Sequence, residues 1–324
     1  SLGGTAVAPY TSWASAATCI QDAVDAAHPG GVVLVARGVY AAGGAVATTL
    51  AETATNRVCI EKPISVVATN TAPFATVIAG SGRLFSSSIR GALLAKGAVL
   101  AGFTITNGAT PTVHKGGGVF CYRGTLSNCV VYGNTAEYGG GGVYCGDGFY
   151  TAYGDGSIVD VLLAGNVAHG GSGGGISGGT VLRCTMQNNT ASSGGGAHAA
   201  LLEQCVLTNN TSSGNTGGGI NGCQIRSSLL AHNAGGGAYL RYSGLIEHAT
   251  IASNTPYGVQ LSTEAYFWYL TAMVVNSIVQ FNATNNWLHD GAGKTWYERC
   301  SITPLPPAGA GNCTDNPCFA SLAA

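Results

Sequence analysis

The sequence predicts an all-β fold: a right-handed parallel β-helix, a solenoid of about ten or more rungs with an N-terminal capping α-helix. Three observations predict it. The composition is rich in glycine and poor in charge, a glycine motif recurs along the chain, and a second motif ending in Asn recurs in step with it.

Composition comes first. The chain has 324 residues with 51 glycines, and Asp, Glu, Lys and Arg make up only 8%. A typical soluble domain carries roughly 25% charge. Many Gly, Asn, Ser and Thr residues describe short strands and tight turns, and a solenoid of this length grows by adding rungs. The net charge of −1 excludes a polyanion binder, so no nucleic-acid partner is expected. No apolar run reaches the roughly 18 residues of a transmembrane helix. The opening SLGGTAVAPYTSW reads as a mature N-terminus after removal of a leader. The 11 cysteines show no CxxC or Cys/His zinc spacing, which points to core packing. Cys300, Cys313 and Cys318 form a separate terminal group that can hold a disulfide in an oxidising compartment.

The repeat sets the register. A glycine run followed by a small apolar residue recurs at Val119, Val143, Ile176, Ala197, Ile220 and Ala238, with a shorter copy at Val259. Between these copies an aliphatic residue, two variable residues and an Asn recur, ending at Asn134, Asn166, Asn189, Asn210, Asn233, Asn254 and Asn282. A weaker copy ends at Asn107. Aligned on the Asn, three columns are apolar or small. They run through Val131, Leu163 and Met186; through Cys129, Val161 and Cys184; and through Leu126, Ile158 and Val181. These columns are expected to face the core. The Asn is expected at a turn, bonding the Asn above and below. Between the second and third columns lie two outward positions at a bend, where Glu203, Arg226 and Glu247 stack, as do Asp160 and Arg183.

The ends follow. Ile20, Ala23, Val24 and Ala27 share one helical face, and the helix is expected to plug the open end of the coil. The whole chain, residues 1–324, reads as a single domain. Residues 1–40 are the cap and first strand, 41–284 the rungs, and 285–324 a C-terminal cap where the repeat is lost.

On these motifs the chain resembles the pectin-lyase-like superfamily of right-handed parallel β-helices. The paired glycine and Asn motifs resemble the repeats of bacterial polymorphic outer-membrane proteins, with Val, Leu, Met or Ile in place of their Phe. The closing GAGNCTDNPCF resembles an ending found in secreted bacterial β-helix proteins. The resemblance implies an extracellular or outer-surface location on a bacterium. For function it implies lyases, glycosidases and adhesins alike, since one fold hosts many functions.

Chemistry is expected where the repeat is interrupted. From glycine motif to Asn, three consecutive central rungs need 13 residues, whereas those starting at Val143 and Val259 need 23. Both carry an insertion at the same corner, 146–157 and 262–272. The two lie five rungs apart, about 24 Å, and a trough is expected between them. Its floor should lie near His198, Asn221, Tyr239, Arg241 and Tyr242. Tyr150, Tyr153, Tyr266, Trp268 and Tyr269 on the insertions can stack on sugar rings or pack down on their own rungs. A hydrolase needs two carboxyl groups roughly 5–10 Å apart. Asp160 with Asp155 or Asp147 is the first candidate pair, and Asp160 with Glu203 the second. Asp147 and Asp155 are also the candidates for a Ca²⁺ site, although they lack an EF-hand ligand series. No other cofactor is implied. A lyase needs a cation and a base. Lys115, His114, His198 and Arg241 are available, without forming a basic cluster in the sequence. The reading therefore favours a secreted or cell-surface structural or adhesive protein, such as a stalk, an adhesin passenger or a self-assembling filament subunit. Its partners would be a glycan or copies of itself. The alternative is a carbohydrate-active enzyme, a polysaccharide lyase or glycoside hydrolase, acting on an extracellular polysaccharide.

Overall fold

The computed structural model describes residues 6–50, 52–69, 75–82, 87–111, 114–146, 155–241, 244–263, 271–291, 294–304 and 311–314. The chain winds through three sheets of 11 strands and a fourth of 5 strands. We name them A, B, C and D. One central coil shows the path: Ile176–Ser177 in sheet C, Thr180–Leu182 in sheet A, Thr185–Gln187 in sheet B and Thr190–Ser193 in sheet D. Each strand pairs in parallel with its counterpart one coil away, for example Val181 with Leu202 and Met186 with Leu207. Among the described strands one pairing is antiparallel, Ala45–Val46 against Thr55–Ile60.

Side chains decide the coil. The three predicted columns all face inward: Leu207 and Leu230 of the first, Cys129 and Cys184 of the second, and Ile158 and Val181 of the third are buried. Burying one such aliphatic side chain contributes about 1.5–3 kcal/mol. The Asn column forms a continuous ladder at the corner leaving sheet B. Asn166 Nδ2 donates to Asn189 Oδ1 at 3.0 Å and to the Val131 carbonyl at 2.9 Å, and the Asn166 N–H donates to the same Asn189 oxygen. The pattern repeats through Asn210, Asn233 and Asn254 to Asn282. It ends where Asn282 donates to Asn286 and Asn286 to the Thr303 carbonyl. At the other end the ladder position belongs to Gly108, whose N–H donates to Asn134 Oδ1 at 2.8 Å. Asn107 sits one residue earlier, at φ 54°, so the weak Asn107 copy is corrected by one position. A turn residue in the left-handed region is favourable for Asn, which is why the two positions look alike in sequence.

The glycine run has a steric cause. A Cβ on Gly196 would lie 2.6 Å from the Gly219 carbonyl oxygen of the next coil and 3.0 Å from Leu207. Only a bare backbone fits beside the Asn ladder.

Cysteines occupy turn and core positions as free thiols, ten of them among the described residues. Cys184 Sγ accepts from the Val161 N–H and Ser228 Oγ accepts in the same way from the Cys205 N–H, so Cys and Ser are interchangeable in this second ladder. Burial pushes the Cys129, Cys184 and Cys223 thiols up to about 12, which keeps them protonated and unreactive. Cys300 and Cys313 are unbonded thiols, and Cys318 lies outside the described residues.

The outer ladder is present. Arg226 pairs with Glu247 at 2.8 Å and Arg183 with Asp160 at 2.8 Å. The helix α1 spans Ile20–Ala26 and packs Ile20 and Val24 onto the first coils. Gln21 clamps the Cys59 peptide, accepting from its N–H at 2.7 Å and donating to its carbonyl at 3.1 Å.

The expected C-terminal cap starts too early. Asn285–Gly291, Lys294–Glu298 and Ser301–Ile302 form one more full coil. Trp287, Tyr297 and Ile302 continue the core columns of Val259, Val274 and Val279. Aromatic rings filling the core in place of small aliphatics hide the repeat from a sequence alignment.

Candidate active site

Both insertions leave the same corner, from sheet C into sheet A. One follows Val143–Cys145 and the other follows Tyr257–Thr263, five strands further along sheet C. Asp147, Tyr150, Tyr153, Tyr242, Tyr266, Trp268 and Tyr269 lie outside the described residues. Arg241 ends the strand Ala238–Arg241, in register with Ser262.

The trough floor can be built from strand alternation. In sheet C the residue after each motif's apolar residue points out of the coil. Val143 and Cys145 belong to the central core, whereas Tyr144 belongs to a second apolar cluster outside it. Register places Phe120, Tyr144, Ser177, His198, Asn221, Tyr239 and Gln260 in one outward column along the coil axis. The expected floor residues His198, Asn221 and Tyr239 are therefore brought together.

The expected carboxylates are not. Asp160 lies at the corner between sheets A and B, and hydrogen bonding to Arg183 holds its carboxyl below the usual range. It cannot act as a general acid there. Glu203 is exposed on the same corner, in register with Arg226. Asp155 lies at the corner between sheets C and A, its carboxylate on Arg123 at 2.7 Å. The Asp160–Asp155 and Asp160–Glu203 pairs thus do not converge on the trough. Asp155 is also committed as an ion-pair partner, and its proposed metal co-ligand Asp147 is not described. No cluster of three or more His, Cys, Asp or Glu residues that can hold a metal occurs among the described residues.

A different set converges at the N-terminal end of the column. Lys115 Nζ lies 3.1 Å from Tyr144 Oη and 4.6 Å from the centre of its ring. Beneath it the guanidinium of Arg90 is fully buried. Arg90 donates to the Lys115 carbonyl at 2.9 Å, the Gly116 carbonyl at 2.9 Å and Asn56 Oδ1 at 2.7 Å. Its Nη2 also lies 3.4 Å from the Glu52 carboxylate. The other oxygen of Glu52 lies 2.5 Å from His114 Nδ1. Burial lowers the pKa of Arg90, and the Glu52 charge opposes that shift. A basic cluster therefore does form, which corrects the expectation from sequence. It joins Arg90 to the neighbouring His114 and Lys115, and the coil brings Arg90 to them.

His198 lies two rungs beyond Tyr144, its Nδ1 3.4 Å from Ser177 Oγ. Burial, with the Lys115 charge adding to it, lowers its pKa to about 4. The imidazole is neutral at neutral pH and can accept a proton. Asn221 donates to the Thr216 carbonyl at 3.2 Å, which fixes the next floor position.

Sequence reasoning named Lys115, His114 and His198 but missed Tyr144, Arg90 and Glu52. Tyr144 had a signal, since it follows the glycine motif at the same offset as His198. Arg90 and Glu52 had none, because their roles depend on contacts across separate coils.

Among known families, the one described as "Right handed beta helix region" matches residues 118–277, with the hand the sequence predicts. No curated protein matches the chain. Among solved structures, the chain is similar to an alginate lyase from Paenibacillus sp. with a TM-score of 0.39 and 12% identity, covering 90% of this chain and 95% of that one. It is also similar to the A-module of the mannuronan C-5 epimerase of Azotobacter vinelandii, with a TM-score of 0.37 and 13% identity, covering 87% and 71%. The fold is a right-handed parallel β-helix.

Proposed function

We propose that this right-handed parallel β-helix is a polysaccharide lyase that cleaves uronate-containing extracellular glycans by β-elimination. The observation that carries the reading is the contact of the Lys115 ammonium with the Tyr144 hydroxyl, with the neutral His198 two rungs along the same outward column.

Each group has a role that its surroundings support. The Lys115 ammonium neutralises the substrate carboxylate, which acidifies the adjacent C5–H bond. His198, kept unprotonated at neutral pH by its burial, removes that proton. The Tyr144 hydroxyl donates its proton to the departing O4. The C5–H and C4–O bonds break and a C4=C5 double bond forms; afterwards His198 loses its proton to solvent and Tyr144 regains one from solvent. No water or redox partner is consumed. Asn221 and Tyr239 line the floor beyond, where a second sugar can lie. Hydrolysis by paired carboxylates loses support because Asp155 and Asp160 stand on different corners and each is held by an arginine.

The test is a panel of polyuronates scored for unsaturated product by ultraviolet absorbance. Wild type produces it. Lys115→Ala, Tyr144→Phe and His198→Ala each lower kcat/KM by about 10²–10⁴ without loss of fold by circular dichroism. If no polyuronate yields unsaturated product, the reading fails.

A second reading, the stalk or filament role, has one observation in its favour. The first coil exposes Val32, Leu34 and Val39. It predicts concentration-dependent end-to-end association in sedimentation velocity, and a strictly monomeric protein at high concentration removes it. In either reading the protein acts outside the cell.

A further inference from the structure

The outer face of sheet C is not uniformly open. Leu93, Phe120 and Tyr144 point out of the coil, yet all three are buried in one cluster, Leu93 fully, Phe120 at 5% and Tyr144 at 8% exposure. Part of the cover comes from residues 41–50, and part from Tyr122. Ala45, Ala47 and Leu50 pack against this outer cluster. The segment is firmly built. Its strand Ala45–Val46 pairs with Thr55–Ile60, Asn56 donates to the Ala45 carbonyl, and Arg57 donates to the Gly43 carbonyl. One carboxylate, Glu61, accepts from the N–H and hydroxyl groups of both Thr48 and Thr49 at 2.5–2.9 Å. Burial opposes its ionisation, but these hydrogen bonds prevail and hold Glu61 below the usual carboxylate range.

We propose that this arm makes the trough blind at its N-terminal end, so that the enzyme acts at chain ends and takes the terminal uronate against the Glu52–His114 wall. The inference rests on the elimination reading and deepens it. Internal cleavage needs open floor on both sides of the reacting atoms. Here Lys115 and Tyr144 stand at the edge of the covered cluster: the next outward residue toward the N-terminus, Phe120, is buried within the cluster that the arm packs against. In the other direction His198, Tyr239 and Gln260 remain partly exposed, with the shorter Ser177 and Asn221 of the same column buried. A polymer laid along the column therefore has floor on one side of the reacting groups only.

The experiment follows viscosity and unsaturated product together during digestion of long polygalacturonate, polymannuronate, polyguluronate and polyglucuronate. Wild type is expected to accumulate short unsaturated fragments while viscosity stays nearly constant. Glu61→Ala, which unpins Thr48 and Thr49 without touching the reacting groups, is expected to raise the viscosity loss per bond cut severalfold. Hydrogen exchange at residues 45–50 checks that the arm has loosened. Unsaturated product with an early viscosity collapse in wild type overturns chain-end action and leaves the elimination reading standing. An unchanged product pattern in a loosened Glu61→Ala overturns the arm as its cause. Absence of unsaturated product across the panel removes the elimination reading itself.

Discussion

Arg90 is a fully buried charge whose partners come from separate parts of the chain. Its guanidinium spends its donors on two successive carbonyls, Lys115 and Gly116, and on Asn56, while Glu52 balances its charge. It is a positioning residue, aiming Lys115 at Tyr144 through the backbone. Lys in its place keeps the charge but loses the planar fork. Arg90→Lys should therefore lower kcat by about 10-fold or more with KM less affected, as misplacement of a reacting group does. A matched loss in folding stability with unchanged kcat would mean the role is structural alone. His198 supplies a pH test. Its folded pKa of about 4 lies below its ordinary value, so the unfolded chain binds the proton first as pH falls. Its contribution to stability is present above pH 6.5 and declines as pH falls toward about 4, by roughly 3 kcal/mol. Denaturant melts across this range should show the decline, and His198→Gln should flatten it. Activity should hold down to about pH 5 and fall below that as the base protonates.

At the scale of the element, the Asn ladder holds the corner between sheets B and D. Asn210 Oδ1 accepts from the N–H and the side-chain amide of Asn189, and its own amide donates to the Met186 carbonyl and Asn233. Asn210→Ala strands several buried groups at once, each costing about 1–3 kcal/mol. We expect a loss of about 3 kcal/mol or more by urea denaturation, and a smaller loss for Asn282→Ala, which is half-buried at the end of the ladder. The Cys and Ser ladder should be far more tolerant. Cys184→Ser keeps a hydrogen-bonding side chain at a position where Ser228 already stands in the next coil but one. The ladder was legible in sequence because one residue type does one job in every rung. Asn107 misled because Asn also suits the left-handed turn position next door.

The whole molecule is a stack whose ends differ from its middle. At one end α1 covers the core with Ile20 and Val24. Val24→Asp would place a charge against that core and reopen the end of the stack. We expect partial loss of the first coils and aggregation, read by light scattering and by protease cutting confined to the N-terminal third. At the other end Trp287 and Tyr297 close the columns. The outer charges matter less: Arg226→Ala should cost under about 1 kcal/mol, since exposed pairs are weak and screened.

The sequence by itself determined the coil, the inward columns, the Asn and Cys positions, the capping helix and the corner that carries both insertions. All of these are periodic, so each rung repeats the evidence of the last. It also marked the outward column containing His198, Asn221 and Tyr239. Only the tertiary structure decided that Lys115, Tyr144, Arg90 and Glu52 meet beside that column, and that Asp160 and Glu203 face another side. It also decided that residues 41–50 help to close one end of the trough. The physical reason is that these features break the repeat. Each depends on a single non-periodic segment laid across the coil, held by contacts such as Glu61 to Thr48 and Thr49, and no spacing in the chain announces where such a segment will land.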